Sequence, residues 1–236
     1  GNNRQNNERN SKAFRTKIQS MKQEKLAPIA RHLIPKLFGI WIERVTGLDN
    51  LPKDRPFIIA PNHCSYMEHF LIGCVVIPYI NKKIHILAKK EHYDDMVQRK
   101  WHKTWQRYVV QIPIDRSKGE KALKTAEQQI KKGKVLVIYP EGTRSLDGKI
   151  QKGKTGTVRI ALAAKVPVVP LGIRGTFEIL PKGKNIPKLK KAKLKFGKPI
   201  YFNKYYNKPI TKKLLREITD KIMKEIAKLS GQKYKF

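Results

Sequence analysis

The sequence predicts an α/β fold, a single domain with a mixed, partly parallel sheet flanked by helices and preceded by an N-terminal amphipathic helical segment. Three observations predict it. Short apolar runs of strand length recur along the chain, segments with helical spacing separate them, and 236 residues at 40% hydrophobic content suffice for one sizeable core. No internal repeat and no second core interrupts this pattern. The expected organisation is a flexible basic N-terminus and amphipathic helix over 1–46, then one domain over 47–236.

Residues 1 to about 24 are rich in Asn, Gln, Lys and Arg, with too few apolar positions to offset the entropy of ordering, and read as flexible or marginally helical. Over 28–45, Ile29, Leu33, Leu37, Ile40, Trp41 and Val45 recur at spacings of three and four, which predicts an amphipathic helix. Such a helix packs on a core or lies on a membrane surface with Trp41 at the interface. Apolar runs at 57–60, 84–87, 109–114, 135–138 and 167–173 then read as largely buried strands. Ala122, Leu123, Ala126 and Ile130 mark a helix closed by Gly133, and Val158, Ala161, Leu162 and Ala164 mark another ahead of Pro167. This alternation requires crossover connections, and therefore parallel pairing in part of the sheet. The lysine-rich stretch over 182–198 reads as a solvated face, with a polybasic surface that helps dock the chain on an anionic bilayer as the alternative. A final helix carries Leu214, Leu215, Ile218, Ile222, Ile226 and Leu229 on one side, with Thr211 as its N-cap.

Fifty-two Lys and Arg against eighteen Asp and Glu give a net charge of +34, enough to concentrate anionic partners. Nucleic acid, phospholipid headgroups and small acidic substrates all answer to that charge, so motifs must choose among them. No zinc-finger spacing, RNP-like aromatic motif or helix-turn-helix signature supports nucleic acid. Two cysteines, Cys64 and Cys74, make neither a disulfide framework nor a CxxC knuckle, which fits a reducing compartment. No apolar run reaches the length of a membrane-spanning helix and no signal peptide is recognisable, while an anchor ahead of Gly1 stays open.

Two segments carry the chemistry. His63 directly follows the strand at 57–60, at the kind of strand end where open α/β sheets hold ligands. Glu68, five residues on, can fold back from the following helix to the imidazole Nδ1–H, which fixes the tautomer and leaves Nε2 to accept a proton. Glu141, Gly142, Thr143 and Arg144 follow the strand at 135–138, where Gly142 permits close backbone approach and Arg144 offers a planar fork of donors to a phosphate. Cys64 would point away from His63 on an extended segment, which argues against a cysteine nucleophile. The remaining histidines, among them His69, His85, His92 and His102, show no metal-ligand spacing. Trp101, Trp105 and Tyr108 read as packed aromatics, with an acyl-chain wall or membrane contact as the alternative.

Four blocks in order resemble the 1-acyl-sn-glycerol-3-phosphate acyltransferase family, the lysophosphatidic acid acyltransferases of phospholipid synthesis. The family's Asn-His-x4-Asp falls on Asn62, His63 and Glu68; its Ile/Val-Asp-Arg falls on Ile114, Asp115 and Arg116. The third block is the stretch from Pro140 to Ser145, and the fourth runs from Val166 to Pro170. The similarity extends over roughly residues 45 to 200, with two departures: Glu68 stands where the family has Asp, and Val110 where many relatives have Gly.

The resemblance implies a glycerophospholipid acyltransferase domain. It would move a fatty acyl group from a thioester, acyl-CoA or acyl-ACP, to the sn-2 hydroxyl of lysophosphatidic acid, with His63 as general base and Glu68 as its partner. Arg144, with Lys89 and Arg116, would hold the substrate phosphate on the loop of Glu141, Gly142 and Thr143, which Glu141 organises. Backbone N–H groups near Gly142 or Gly153 would meet the oxyanion. No metal and no cofactor is expected beyond the thioester co-substrate, and the expected partners are the lysophospholipid, the donor and an anionic membrane surface. The expected location is the cytoplasmic face of a membrane, held peripherally. Glycerol-3-phosphate or another lysophospholipid as acceptor, and a basic nucleic-acid-binding module, stay as alternatives.

Overall fold

A computed structural model describes residues 35–89, 109–114, 119–206 and 208–236. Seven strands form one sheet: β1 (Ile42–Thr46), β2 (Ile58–Pro61), β3 (Ile84–Lys89), β4 (Val109–Ile114), β5 (Val135–Val137), β6 (Val168–Arg174) and β7 (Ala192–Phe196). Their spatial order is β1-β7-β6-β2-β5-β3-β4. Every neighbouring pair is parallel except β6 with β7, which is antiparallel, so the sheet is mixed as predicted. Helices among the described residues include α1 (Met67–Ile80), α2 (Gly119–Lys131), α3 (Gly156–Ala164), the short α4 (Thr176–Ile179) and α5 (Lys212–Ser230).

Alternation along the strands divides the interior into two cores, one on each face of the sheet. Ile59, Val137, Val169 and Leu171 pack with Phe70, Leu71 and Ile72 of α1. Ile58, Ala60, Leu136 and Val168 point the other way, onto Ile130 of α2, Val158 and Ala161 of α3, and Ile222 and Ile226 of α5. With helices on both faces, β2 is buried at all four positions, which explains its continuous apolar run. The Thr211 hydroxyl accepts the Leu214 N–H at 3.1 Å, as expected of an N-cap, a contact that contributes about 1 kcal/mol. Gly172 is required where α5 crosses β6, because a Cβ there would lie 2.3 Å from the Leu229 carbonyl carbon. Among the described residues no helix is long and apolar enough to cross a membrane.

Two local expectations need correction. The helix expected over 28–45 is helical at 35–39 within the described residues, and Ile42–Thr46 is a strand. Gly39 interrupts the helical pattern, while β-branched Ile42, Val45 and Thr46 suit the half-buried edge that β7 leaves open. The sheet therefore starts at Ile42, ahead of the boundary placed at residue 46. The second correction falls in the lysine-rich stretch, where Ala192, Leu194 and Phe196 are buried and Lys193 and Lys195 exposed. That period-two pattern is strand β7, hidden by the surrounding lysines. Trp101, Trp105, Tyr108, His92, His102, Asp115 and Arg116 lie outside the described residues.

Candidate active site

Because β2, β5 and β6 are parallel neighbours, the segments after all three leave the same edge of the sheet. Asn62 fastens the first to the third. Its amide donates to the Ile173 carbonyl at 2.9 Å and accepts the Ile173 N–H at 2.7 Å, which locks the end of β2 against β6. The next residue is His63. Its N–H donates to Glu141 Oε1 at 2.8 Å and its carbonyl accepts the Ser145 N–H at 2.8 Å, so the main chain of His63 is tied to the segment after β5 at both ends.

The imidazole is held as firmly. His63 Nδ1 lies 2.6 Å from Glu68 Oε2, and its ring stacks on Tyr139 with centroids 3.7 Å apart. Tyr139 is itself anchored through its hydroxyl, 2.7 Å from His69 Nδ1. Glu68 lies in the first turn of α1 and is wholly buried. Its Oε1 accepts from Cys64 N–H at 2.8 Å, Ser65 N–H at 2.9 Å and the Thr176 hydroxyl at 3.1 Å, with the Cys64 thiol at 3.2 Å. These donors satisfy a carboxylate that burial alone would penalise. The longer side chain of Glu thus reaches Nδ1 and the start of the helix at once. Nδ1 donating to Glu68 leaves Nε2 as the ring's acceptor, the form a general base requires.

Cys64 has a different part from a nucleophile. It is buried, and burial together with the Glu68 charge pushes its thiol well above the ordinary range, so the reactive thiolate is suppressed.

The loop after β5 forms the other half. Gly142 adopts φ 74°, and its N–H donates to the Tyr139 carbonyl at 3.1 Å. The Gly153 N–H is directed to the Tyr234 hydroxyl at 3.4 Å, so both glycine amides considered for an oxyanion are engaged within the protein. Glu141 is buried and turns inward rather than out of the loop. Its two oxygens accept the His63 N–H and, at 2.9 Å, the Gln151 N–H, so it braces the loop from within. Burial pushes its carboxyl up to about 8, against the two backbone bonds that pull it down.

Arg144 is buried beneath the loop surface at 8% exposure, with its guanidinium carbon 3.4 Å from the centre of the Tyr66 ring. Its Nη1 is buried and has no hydrogen-bond partner among the described residues. A buried cation with an unmatched donor is a ready receptor for an anion. Thr143 is exposed on the same loop. Lys154 passes alongside Gly142, its chain atoms 3.1–3.3 Å from where a Cβ would stand, and brings a second cation to the loop. Lys89 closes β3 at the same sheet edge, while Arg116 falls outside the described residues.

The structure therefore brings His63, Glu68, Glu141 and Arg144 into one bonded unit, and it adds four residues to which sequence reasoning gives no role. Tyr66 lies inside the first motif segment and Tyr139 directly precedes the third, and their aromatic character is the available signal. Lys154 and Thr176 come from later segments, and nothing in their local sequence points to the site.

The acyltransferase family model matches residues 42–174, the span that contains His63, Glu68, Glu141 and Arg144. The chain belongs to the acyltransferase family. This acyltransferase is 30% identical over 190 residues to the 1-acyl-sn-glycerol-3-phosphate acyltransferase of Bacillus subtilis, covering 80% of the chain and 88% of that relative. It is 29% identical over 194 residues to the chloroplastic BAT2 enzyme of the same description from Brassica napus, covering 73% of the chain but about half, 51%, of the plant protein. Among solved structures, the 1-acyl-sn-glycerophosphate acyltransferase PlsC of Thermotoga maritima matches with a TM-score of 0.62 at 27% identity, over 87% of this chain and 81% of that one. Family membership decides for an enzyme over the nucleic-acid-binding alternative.

Proposed function

We propose that this acyltransferase moves a fatty acyl group from a thioester donor, acyl-CoA or acyl-ACP, to the sn-2 hydroxyl of lysophosphatidic acid at the cytoplasmic surface of an anionic membrane. The observation that carries the reading is the buried His63–Glu68 pair, tied through backbone bonds to the loop that holds Arg144 and its unmatched donor. A base bonded to an anion receptor suits an acceptor that carries a hydroxyl and a phosphate on one small skeleton. The activities named for the Bacillus and Thermotoga relatives support the same acceptor.

His63 Nε2 takes the hydroxyl proton as the oxygen attacks the thioester carbonyl carbon, and Glu68 stabilises the imidazolium that forms. The tetrahedral intermediate collapses, the C–S bond breaks, and the departing thiolate takes the proton back from His63. The products are phosphatidic acid and the free thiol. Arg144, with Lys154 and Lys89 near the same edge, holds the phosphate so that the hydroxyl lies at the base, which raises its effective concentration. The high positive charge assists capture of the anionic lipid.

The test is thiol release from acyl-CoA and acyl-ACP over a panel of acceptors: lysophosphatidic acid, glycerol-3-phosphate, lysophosphatidylcholine and monoacylglycerol. Lysophosphatidic acid is expected to give the highest kcat/KM, and His63→Ala to abolish release while the circular-dichroism spectrum is retained. Undiminished transfer by that variant would remove His63 as base, and equal turnover of monoacylglycerol would remove the phosphate site.

A further inference from the structure

Residues 180–191 leave the site directly. The Ser65 hydroxyl donates to the Leu180 carbonyl at 2.6 Å, and Ser65, two residues beyond His63, forms an isolated antiparallel bridge with Pro181. At its far end the segment is held by Trp41, whose indole N–H donates to the Lys188 carbonyl at 3.0 Å and whose carbonyl accepts the Ala192 N–H at 2.7 Å. Between these anchors the loop carries Lys182, Lys184, Lys188, Lys190 and Lys191, all exposed, with no acidic residue. None of the five forms an ion pair with a described residue. Among the lysines stand Ile186 at 84% exposure and Leu189 at 83%. Leu37 and Ile40, at 62% and 52%, flank Phe38 and Trp41 on the adjoining segment, so the Trp41–Lys188 bond joins two exposed apolar edges.

Aliphatic side chains this exposed on a folded, pinned loop leave apolar surface in water unless something covers it. The surrounding lysines select an anionic cover. From this surface we infer that the 180–191 loop, together with Leu37 and Ile40, docks on an anionic lipid bilayer, with Ile186 and Leu189 entering the acyl layer and the lysines meeting headgroup phosphates. A projecting loop with single aliphatic residues between charges suits a deformable apolar medium, which closes around each side chain. The bonds through Ser65 make this surface continuous with the turn that carries His63, so docking presents the site to a lipid acceptor in the headgroup plane. The inference rests on the proposed lipid acceptor.

The test combines vesicle flotation with turnover. The double variant Ile186→Ser/Leu189→Ser is compared with the unaltered protein on vesicles of phosphatidylcholine with phosphatidylserine and of phosphatidylcholine alone. The charge variant Lys182→Gln/Lys184→Gln/Lys190→Gln is run beside it. Expected are partitioning that favours the anionic vesicles, a loss of at least about tenfold for the aliphatic variant, and about fivefold for each lysine removed. Turnover of vesicle-embedded lysophosphatidic acid falls in parallel, while that of a short-chain acceptor dissolved in water stays unchanged and shows that the variants are folded. Unchanged flotation of both variants overturns the inference. So does unchanged flotation with turnover lost only for acyl-ACP, which would make the loop a dock for the acidic carrier protein. Loop-dependent flotation by a protein that turns over neither acceptor supports the docking surface and sinks the proposed reaction instead.

Discussion

Replacing Glu68 by Gln tests the site at its most constrained point. Gln is nearly isosteric, and its amide has one oxygen for the two that Glu68 now uses. Oε1 is surrounded by the Cys64 and Ser65 N–H groups, the Thr176 hydroxyl and the Cys64 thiol, so the amide oxygen must take that position. The amide NH2 is then directed at His63 Nδ1, where Oε2 stands at 2.6 Å. Donor cannot face donor, so Nδ1 becomes the acceptor and the ring proton moves to Nε2, the atom that receives the substrate proton in the proposed reaction. Reversing a catalytic tautomer in this way costs about 10⁴-fold in kcat, or about 5 kcal/mol of barrier. KM for the acceptor is expected to change little, because Arg144 and its loop are untouched. Thiol release under saturating lysophosphatidic acid measures kcat, and a titration of the acceptor measures KM. A kcat within about tenfold of the unaltered enzyme would refute the assigned roles of Glu68 and Nδ1. Glu68→Asp adds a geometric control: a side chain shorter by roughly 1.5 Å cannot keep both Nδ1 and the helix start, so kcat should fall by about tenfold or more. Full activity in that variant would show that the longer carboxylate is not specifically fitted.

Arg144→Ala should raise KM for phosphate-bearing acceptors by about tenfold to a hundredfold, as charge-assisted bonds of about 1.5–3 kcal/mol are lost, and an unchanged KM would exclude its role. Tyr66→Leu removes the ring that supports the guanidinium at 3.4 Å and should raise the same KM severalfold with kcat retained, the scale of a contact of about 0.5–2 kcal/mol. An unaltered KM in that variant would show that the ring does not position the cation. His85 is buried on β3, where burial pushes its imidazole down to about 4 from an ordinary 6.5, so its contribution to stability is complete above about 6.5 and lost as pH falls towards 4. His85→Leu should flatten the acid limb of urea-unfolding stability over that window, on the order of 3 kcal/mol, and an unchanged limb would refute this. Cys64→Ala should keep kcat within about threefold, since only the thiol's contacts with Glu68 and Thr176 disappear; loss of turnover in a folded variant would reopen a chemical role for the thiol.

Where local pattern and tertiary environment agree, the fold is legible in the order of residues alone. The buried strand at Ile58–Pro61 and the Thr211 cap announce themselves because a two-sided apolar run and a hydroxyl before an amphipathic stretch each have few other uses. β1 and β7 are hidden for opposite reasons. Ile42–Thr46 continues a helical spacing for a few residues, and its strand identity comes from β7, which is distant in sequence. Ala192–Phe196 alternates correctly, but among so many lysines the alternation is lost in the charge. In the site, the order of His63, Glu68 and Arg144 can be read directly, whereas the Thr176 hydroxyl on Glu68 exists only because β6 lies next to β2. Glu141 belongs to the loop its motif indicates; its inward direction depends on the His63 and Gln151 amides, which local sequence does not position.

His63 is bonded through its N–H to Glu141 and through its carbonyl to Ser145, on either side of Arg144. On the proposed reaction, this makes the enzyme a ruler. One end of the scale reads the phosphate, the other reads the hydroxyl, and main-chain hydrogen bonds rather than mobile side chains set the interval between them. An isomer with its free hydroxyl one carbon farther from the phosphate would fit one mark and miss the other, so positional selectivity would be a property of the scaffold's length rather than of any contact with the acyl chain.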